Sequence, residues 1–481
     1  MAETLISSKK NALSSPYKLY YKTTTMCPEC QTFIPGDVVQ KHDSIYIDRT
    51  CPTHGFFEGI ICSDVEWYEK LHKFDVEPVK PLYSHSNSTD GCPQDCGLCK
   101  AHRQIAGTAA IEITNYCNAK CPTCLSDNKN SFNLAVNEVK TMVDNLFKSQ
   151  NYVDVIVLSG GEPTIHPELF SILDYIKNVN VGRVVINSNG LRISKDNEFL
   201  DRLAKYDNIY ICLHFDGNNS KKLRGIEKEI QEKALERLCE WGINVTPLIL
   251  ASKGINDDEL GILVTELLKR SRFVKSVMIS MMSYNGFNGT QFPGDKLTRL
   301  TIPSTLDCVE RSSEGVLKKS DFIPLPMPNP LCSAIGYFLI EDDEITPLIP
   351  LVDIDRAINY ITNSNFARID KELEVFFKDI INNIYVNSSV YENSNILLRK
   401  FKNILNRIFP KDNKLNDVER QKIVEESLKT VYLFQLMDSW TFDSKRLSKC
   451  SCQHLLPDNK IIPSCHYYSY SRRLDKRFTN I

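Results

Sequence analysis

The chain has 481 residues, a formal net charge of −2, 42% hydrophobic residues and 17 cysteines. It is longer than one average domain and long enough to bury a large core. The charge argues against a polybasic nucleic-acid site, and no run of eighteen apolar residues predicts a transmembrane helix. Residues 1–18 lack the apolar stretch of a signal peptide. The short spacings between cysteines therefore predict metal binding in a reducing cytoplasm rather than disulfides.

Residues 1–80 are predicted to form a small metal-binding module. A C-x2-C pair and a C-x2-H pair flank a β-like stretch at 37–47, which is typical of a closed zinc site or a rubredoxin-type iron. The predicted ligands are Cys27, Cys30, Cys51 and His54. Cys62 is the alternative fourth ligand, and the expected role is structural because a small module needs such a staple.

Residues 81–107 are predicted to hold an auxiliary cluster. A polar linker at 81–90 is followed by a C-x3-C-x2-C triplet consisting of Cys92, Cys96 and Cys99. Three thiolates on a short loop can hold three irons of a [4Fe–4S] cluster, which leaves one ligand unassigned.

From 108 to 295, strand-like and helix-like segments alternate, which predicts parallel β/α units. The strand-like runs cover residues 109–114, 153–158, 183–187, 209–214, 243–250 and 276–281. An amphipathic segment from Val136 to Leu146 is typical of the helices between them. Six units predict an α/β fold, a partial TIM-like (β/α)6 barrel with its site at the C-terminal strand ends.

A second C-x3-C-x2-C triplet, formed by Cys117, Cys121 and Cys124, directly follows the first predicted strand. It also leaves one iron of a [4Fe–4S] cluster without a protein ligand, which suits a small chelating molecule. The alternative, a structural zinc knot, would use four ligands.

The second predicted strand ends in the run Gly160-Gly161-Glu162-Pro163. Glycines allow a ligand to approach the backbone closely, and Glu162 can accept a hydrogen bond from a cationic amine. A triplet followed one β/α unit later by this turn resembles the radical S-adenosylmethionine (SAM) superfamily.

The resemblance implies that the Cys117 triplet holds a [4Fe–4S] cluster that binds SAM, and that SAM is cleaved reductively to a 5′-deoxyadenosyl radical. The Cys92 triplet lacks the preceding strand and the following Gly-Gly-Glu-Pro turn. The SAM contacts that the resemblance implies are Gly160, Gly161, Glu162, Pro163, Ser188, Asn189 and Asp216. His214 and Asp216 would meet SAM or substrate, or else serve as a packed histidine and a turn residue. Thr123 stands where many members have an aromatic residue near the adenine.

Residues 296–481 are predicted to form a helical domain with auxiliary cluster ligands. The segment 350–437 is read as amphipathic helices, with apolar stripes at 366–384 and 401–408. These helices either cap a core or form an apolar lid for a greasy substrate. The basic segment 472–477 is expected to be a solvated terminus.

A third cluster site is predicted in this part of the chain. Cys450, Cys452 and Cys465 flank a hairpin-like turn, and Cys332 could supply a fourth ligand. The cysteines left over are either substitute ligands or small buried hydrophobes, namely Cys62, Cys212, Cys239 and Cys308.

Over residues 24–470 the arrangement is similar to the radical SAM branch that contains archaeal tetraether lipid synthase and the related pterin methyltransferase. Met327 and Gly107 depart from the cysteine pattern of this branch. The branch implies one or two auxiliary clusters and an external reductant such as ferredoxin or flavodoxin.

The branch also implies C–C bond formation at an unactivated carbon of a small-molecule or lipid substrate, by alkyl-chain coupling or pterin methylation. A lipid substrate would allow peripheral membrane contact. The alternatives are modification of a peptide or natural product and, in another class, a non-catalytic iron–sulfur electron-transfer protein.

Overall fold

The computed structural model describes residues 17–87, 89–126, 130–364, 371–389, 394–411, 415–475 and 477. Phe366 and Ile369 of the predicted apolar stripe lie outside the described residues. Within the described ranges, no helix is both long enough and apolar enough to span a bilayer.

The chain begins with an antiparallel sheet in the order β1-β2-β3-β4. Its strands are β1 (Tyr17–Met26), β2 (Phe33–Lys41), β3 (Ser44–Cys51) and β4 (Gly55–Cys62). Helix α1 (Val65–Lys70) follows, and the Asp64 carboxylate accepts a hydrogen bond from the Trp67 amide at its N-terminus. Val38, Ile45 and Ile47 belong to the same hydrophobic cluster as the main sheet, so this small sheet is packed onto the rest of the chain.

The six strands predicted between 108 and 295 are present, and each is hydrogen-bonded in parallel to the next along the chain. They are β5 (Thr108–Thr114), β6 (Val153–Gly160), β7 (Val181–Ser188), β8 (Ile209–His214), β9 (Asn244–Ala251) and β10 (Ser276–Met281). The helices of this region are α2 (Val136–Leu146), α3 (Leu169–Ile176), α4 (Asn197–Leu203), α5 (Ser220–Arg224), α6 (Lys228–Glu240), α7 (Leu260–Arg270), α8 (Phe287–Gln291) and α9 (Ile302–Ser312). The predicted α/β fold is confirmed.

Burial alternates along β7 and β10 and near the end of β6, because successive side chains point to opposite faces of a sheet. Leu158 and Ile186 are fully buried in the main hydrophobic cluster. Their chain neighbours Ser159 and Asn187, on the other face, are only partly buried. The inner face of the sheet is therefore the more polar and more accessible one.

Beyond residue 295 the chain returns to the same sheet. The remaining elements are β11 (Ile323–Pro324), β12 (Ser333–Glu341), β13 (Glu344–Pro347), α10 (Ile354–Ile361), α11 (Lys371–Val386), α12 (Ser394–Ile408), α13 (Asp417–Ser427), β14 (Leu428–Phe434), α14 (Ser444–Leu447), β15 (Cys452–Leu455), β16 (Ile461–Pro463) and α15 (Ser464–Ser469). Strand β14 pairs in parallel with β10, and β15 pairs in parallel with β5. The sheet is thus continuous across the predicted boundary at 295/296.

The prediction of helix up to residue 437 was wrong for 428–434, which form β14. Val431 and Leu433 are fully buried, whereas Tyr432 and Phe434 are partly buried. This period of two, built from β-branched and aromatic residues, fits the edge offered by β10 better than it fits a helix.

Helices α11 and α12 bury their apolar faces against each other and against the end of β12. Phe377, Phe401 and Leu339 belong to one hydrophobic cluster, separate from the main one. The ring centroids of Phe377 and Phe401 are 6.4 Å apart. The buried apolar residues of these helices thus form a core of their own, as expected for helices that cap a core.

Replacing Phe401 with alanine should destabilise this helical region by about 3–5 kcal/mol, because the ring is fully buried and would leave a cavity. Hydrogen exchange should rise in α11 and α12 and stay unchanged in β5–β10. Ile396→Ala on the same helix is the control, since Ile396 is 40% exposed and its loss should cost little. Equal hydrogen exchange of α11 and α12 in the two variants would contradict the conclusion that these helices have a core of their own.

Candidate functional site

The loop that carries the Cys117 triplet is held by the backbone that follows β6. The Gly161 amide donates to the Thr114 carbonyl at 2.7 Å, and the Glu162 amide donates to the Tyr116 carbonyl at 2.8 Å. A Cβ on Gly160 would lie 2.1 Å from the Thr114 oxygen, and one on Gly161 would lie 2.0 Å from the Tyr116 oxygen. Both glycines are thus required by the close approach of the cysteine loop itself.

Glu162 joins the ends of β6 and β7. Its Oε1 accepts from Thr164 Oγ1 at 2.6 Å and from Ser188 Oγ at 3.0 Å, and its Oε2 accepts from the Asn189 amide at 2.7 Å. Burial raises the pKa of this carboxyl, although these hydrogen bonds oppose the shift. Asn189 Nδ2 in turn lies 3.9 Å from Cys117 Sγ, so the predicted contacts on both strand ends surround the triplet.

The thiols of the triplet lie close enough to influence one another. Burial raises the pKa of Cys117 to about 11 and that of Cys124 to about 12, and the neighbouring thiols add to both shifts. Thiolates at such positions require a compensating positive charge, which a metal supplies because metal ligation deprotonates cysteine. The donor set therefore fits an iron–sulfur cluster.

Asp216, a predicted SAM contact, is fully buried and holds an arginine. Its Oδ2 accepts from Arg224 Nε at 2.8 Å, and its Oδ1 accepts from the Leu250 amide at 2.7 Å. Burial raises the pKa of Cys121, and the charge of Arg224 opposes this shift. The guanidinium therefore lies near the triplet. Sequence reasoning missed Arg224, because only the fold brings a residue of α5 back to the cysteine loop.

His214 lies beside this ion pair at the end of β8. Burial and the Arg224 charge hold the pKa of the imidazole well below its ordinary value, so the ring is neutral. Its Nδ1 has no hydrogen-bond partner among the described residues. A neutral imidazole offers one donor and one acceptor, which suits a polar ligand in the interior of the sheet.

The expectation that 472–477 is solvated was wrong for Arg472, which is 5% exposed. Its Nε lies 3.4 Å from Oε2 of Glu112, a buried carboxylate on the inner face of β5 that also accepts from Tyr467 Oη at 2.9 Å. Ser126, just after the triplet, donates to the other Glu112 oxygen at 3.2 Å. The buried carboxylate needs a countercharge, and the C-terminal segment supplies it.

The N-terminal ligands converge as predicted from their spacing. The ligand atoms of Cys27, Cys30, Cys51 and His54 all lie within 4.8 Å of one another. His54 Nδ1 is 3.5 Å from Cys51 Sγ, and Cys30 Sγ is 3.9 Å from Cys51 Sγ. Cys62 is buried elsewhere, with its Sγ 3.2 Å from the Asp64 carbonyl, so the structure assembles the site with His54. Three sulfurs and one imidazole nitrogen fit a tetrahedral zinc or iron ion.

The Cys92 triplet is also brought together. Burial raises the pKa of Cys96 well above its ordinary value, and the Cys92 and Cys99 thiols raise it further. Among the described cysteines, no other thiol contributes to this shift. The departures Gly107 and Met327 offer no ligand, and Met327 is packed in a hydrophobic cluster with Phe74.

The four C-terminal cysteines lie close enough for their charges to act on one another. Burial raises the pKa of Cys450 well above its ordinary value, and the charges of Cys465, Cys452 and Cys332 act on it in turn. The pKa of Cys465 is raised to about 12 by burial, with Cys332 as the next cause. Cys332 thus joins the three cysteines around the turn, and four thiols fit a fully ligated [4Fe–4S] cluster.

These four cysteines come from the two ends of the parallel sheet. Cys332 directly precedes β12, which pairs with β14 at one end. The other three flank β15 and β16 at the opposite end. The Met437 amide just beyond β14 donates to Cys465 Sγ at 3.3 Å, so the two ends meet at this site.

The remaining cysteines behave as buried apolar side chains. Cys212 is 3% exposed and Cys308 is 6% exposed. Cys239 packs against the main hydrophobic cluster.

Two parts of the chain match family models. Residues 111–267 match the radical SAM superfamily, and residues 19–63 match the HMPTM N-terminal zinc ribbon domain. Together with the geometry of the Cys117 triplet, the first match shows that the chain contains a radical SAM domain at residues 111–267 and is a radical SAM enzyme.

One relative is similar over nearly its whole length. The 7,8-dihydro-6-hydroxymethylpterin dimethyltransferase of Methanocaldococcus jannaschii is 26% identical over 508 residues, covering 95% of each chain. Mycofactocin maturase MftC of Mycobacterium tuberculosis strain H37Rv is 31% identical, but over only 27% of this chain and 34% of its own. The crystal structure of Streptococcus suis SuiB bound to S-adenosylmethionine, at 15% identity, covers 44% of this chain and 48% of its own with a TM-score of 0.36, too distant to support a conclusion.

Replacing Gly161 with alanine should strip the Cys117 triplet of its iron, because the added Cβ would force the cysteine loop away from β6. Iron content and 5′-deoxyadenosine formation would both fall, as measured after anaerobic reconstitution. Gly315→Ala is the control, since that glycine has a φ of +78° but nothing within 4 Å of its added Cβ. A Gly161→Ala protein with full iron and SAM cleavage would disprove the steric requirement.

Replacing His54 with alanine should remove one equivalent of metal without changing the iron held elsewhere, since three thiols alone leave the N-terminal site open. Elemental analysis of the purified holoenzyme would measure this loss and identify zinc or iron. The control is His42→Ala, a histidine of the same sheet outside the ligand set. Loss of metal in both variants would show a general unfolding effect instead.

Proposed function

We propose that this enzyme transfers methyl groups to carbon atoms of a reduced pterin. The observation that carries the proposal is the match to the pterin dimethyltransferase along 95% of both chains, far beyond the residues 111–267 that match the radical SAM model. The match to mycofactocin maturase covers little beyond the barrel core, so it favours no peptide substrate.

The inner face of the parallel sheet supports a small polar substrate. Ser159, Asn187, His214 and Ser280 are partly buried there. Hydroxyl, amide and imidazole groups can hydrogen-bond the ring edges of a pterin, whereas an alkyl chain could form no hydrogen bond with them. The buried apolar residues of α11 and α12 that the structure describes pack into a core of their own, separate from the main one.

SAM is proposed to bind at the Cys117 triplet, between the ends of β5, β6 and β7. When bound there, a [4Fe–4S] cluster supplies the electron that cleaves SAM to the 5′-deoxyadenosyl radical. The chain itself contributes the surroundings. Glu162 and Asn189 fix the loop ends, and Arg224 places a positive charge beside the cysteines.

We further propose auxiliary [4Fe–4S] clusters at the Cys92 triplet and at the four C-terminal cysteines, and a structural zinc or iron ion in the N-terminal module. An external protein such as ferredoxin or flavodoxin is proposed as the electron donor. A reducing cytoplasm is proposed as the compartment, because cysteines that ligate metals stay reduced there.

Anaerobically reconstituted enzyme with dithionite, SAM as the radical source and a one-carbon donor such as excess SAM should methylate 7,8-dihydro-6-hydroxymethylpterin, detected by mass spectrometry as the gain of one or two methyl groups. Formation of 5′-deoxyadenosine should increase with the pterin and not with a dialkyl glycerol lipid. Cys121→Ala should abolish both products, because the cluster would lose a ligand.

Cys308→Ala is the matched control, since this thiol is a buried apolar side chain far from the triplet in the chain. Coupled lipid chains with an unchanged pterin would replace the proposal with the lipid reaction. If neither substrate increased the formation of 5′-deoxyadenosine, the pterin proposal would be refuted, although SAM cleavage itself would still be established.

A further inference from the structure

A buried arginine, Arg446, makes its closest charged contact with one of the C-terminal cysteines. Its Nη2 donates to Cys332 Sγ at 3.1 Å, and the residue is only 4% exposed. The guanidinium is therefore positioned to hydrogen-bond a thiolate at Cys332.

The nearest carboxylate does not take over this role. Asp443 accepts from Tyr21 Oη at 2.8 Å, from Thr23 Oγ1 at 2.6 Å and from the Lys445 amide at 3.0 Å. These contacts hold the first turn of α14, and with it the arginine, in place. Within the described part of the chain, no carboxylate forms an ion pair with Arg446, whose Nε also has no hydrogen-bond partner.

A buried cation without a countercharge costs several kcal/mol, so the fold requires negative charge on the cysteine side. A metal-bound cysteine is a thiolate, which supplies this negative charge. Arginine stays charged at every relevant pH. The contact is thus a permanent charged hydrogen bond to a cluster ligand.

Hydrogen bonds to the sulfurs and the net charge around a cluster set its reduction potential. We propose that Arg446 raises the reduction potential of the cluster held by Cys332, Cys450, Cys452 and Cys465. Arg446 is a positioning residue for electron flow, since it stabilises the more negative reduced state. Reduction takes one electron from an external donor and breaks no bond. The inference rests on the cluster assigned to this site under the proposed function.

The test is a redox titration of full-length holoenzyme, followed by electron paramagnetic resonance in the absence of SAM and pterin. The signal of this site is identified as the one lost, together with its iron, in Cys450→Ala. In Arg446→Gln, which keeps an N–H donor but removes the charge, its midpoint should shift to a more negative potential. Arg446→Lys should shift it less, because the charge remains.

Lys445→Met is the matched control, since it removes the same charge from the neighbouring, exposed residue. Its midpoint should equal that of the unchanged protein, and the signal of the Cys117 triplet should not move in any variant. An Arg446→Gln midpoint equal to that of Lys445→Met would overturn the role of Arg446. If Cys450→Ala lost neither iron nor a signal, both the cluster and the role of Arg446 would be refuted. Pterin methylation is tested independently, by the detection of methylated pterin.

Discussion

The site depends on one backbone contact, between the end of β6 and the loop that leaves β5. Gly160 and Gly161 let the chain pass so close to Thr114 and Tyr116 that a methyl group at either position would overlap a carbonyl oxygen. Two amide hydrogen bonds then fix the loop, and Glu162 extends the connection to β7. The Cys117 triplet thereby acquires a rigid base on three adjacent strands, which suits a cluster that has to keep one iron open for SAM.

Buried charges determine how the later parts of the chain are placed. Glu112 on β5 pairs with Arg472, and Asp216 after β8 pairs with Arg224. Each pair brings a distant segment against the cysteine loop, because an uncompensated charge at these depths would be costly. The C-terminal segment is therefore part of the site, although its composition alone is that of a solvated tail.

The metal sites differ in how many protein ligands they gather. The N-terminal site and the C-terminal site each collect four donors, which is typical of closed centres. The Cys117 and Cys92 triplets each offer three. Since the C-terminal site lies where the two ends of the parallel sheet meet, a cluster there would both transfer electrons and tie the sheet together.

The sequence by itself determined the local features: the two triplets, the paired knuckles of the N-terminal module, the six parallel strands and the Gly-Gly-Glu-Pro turn. These depend on short spacings and on periodicity, which a single segment carries. The tertiary structure decided the burial and the interaction partners of these and other residues. It turned β14 from a predicted helix into a strand, buried Arg472, and assigned Asp216 to Arg224. It also joined Cys332 to Cys450, Cys452 and Cys465. Asp216 and Arg224 are only eight residues apart, but the other outcomes depend on contacts between segments more than a hundred residues apart or on the free edge of a sheet. No local pattern records which distant partner will neutralise a charge or pair with an edge.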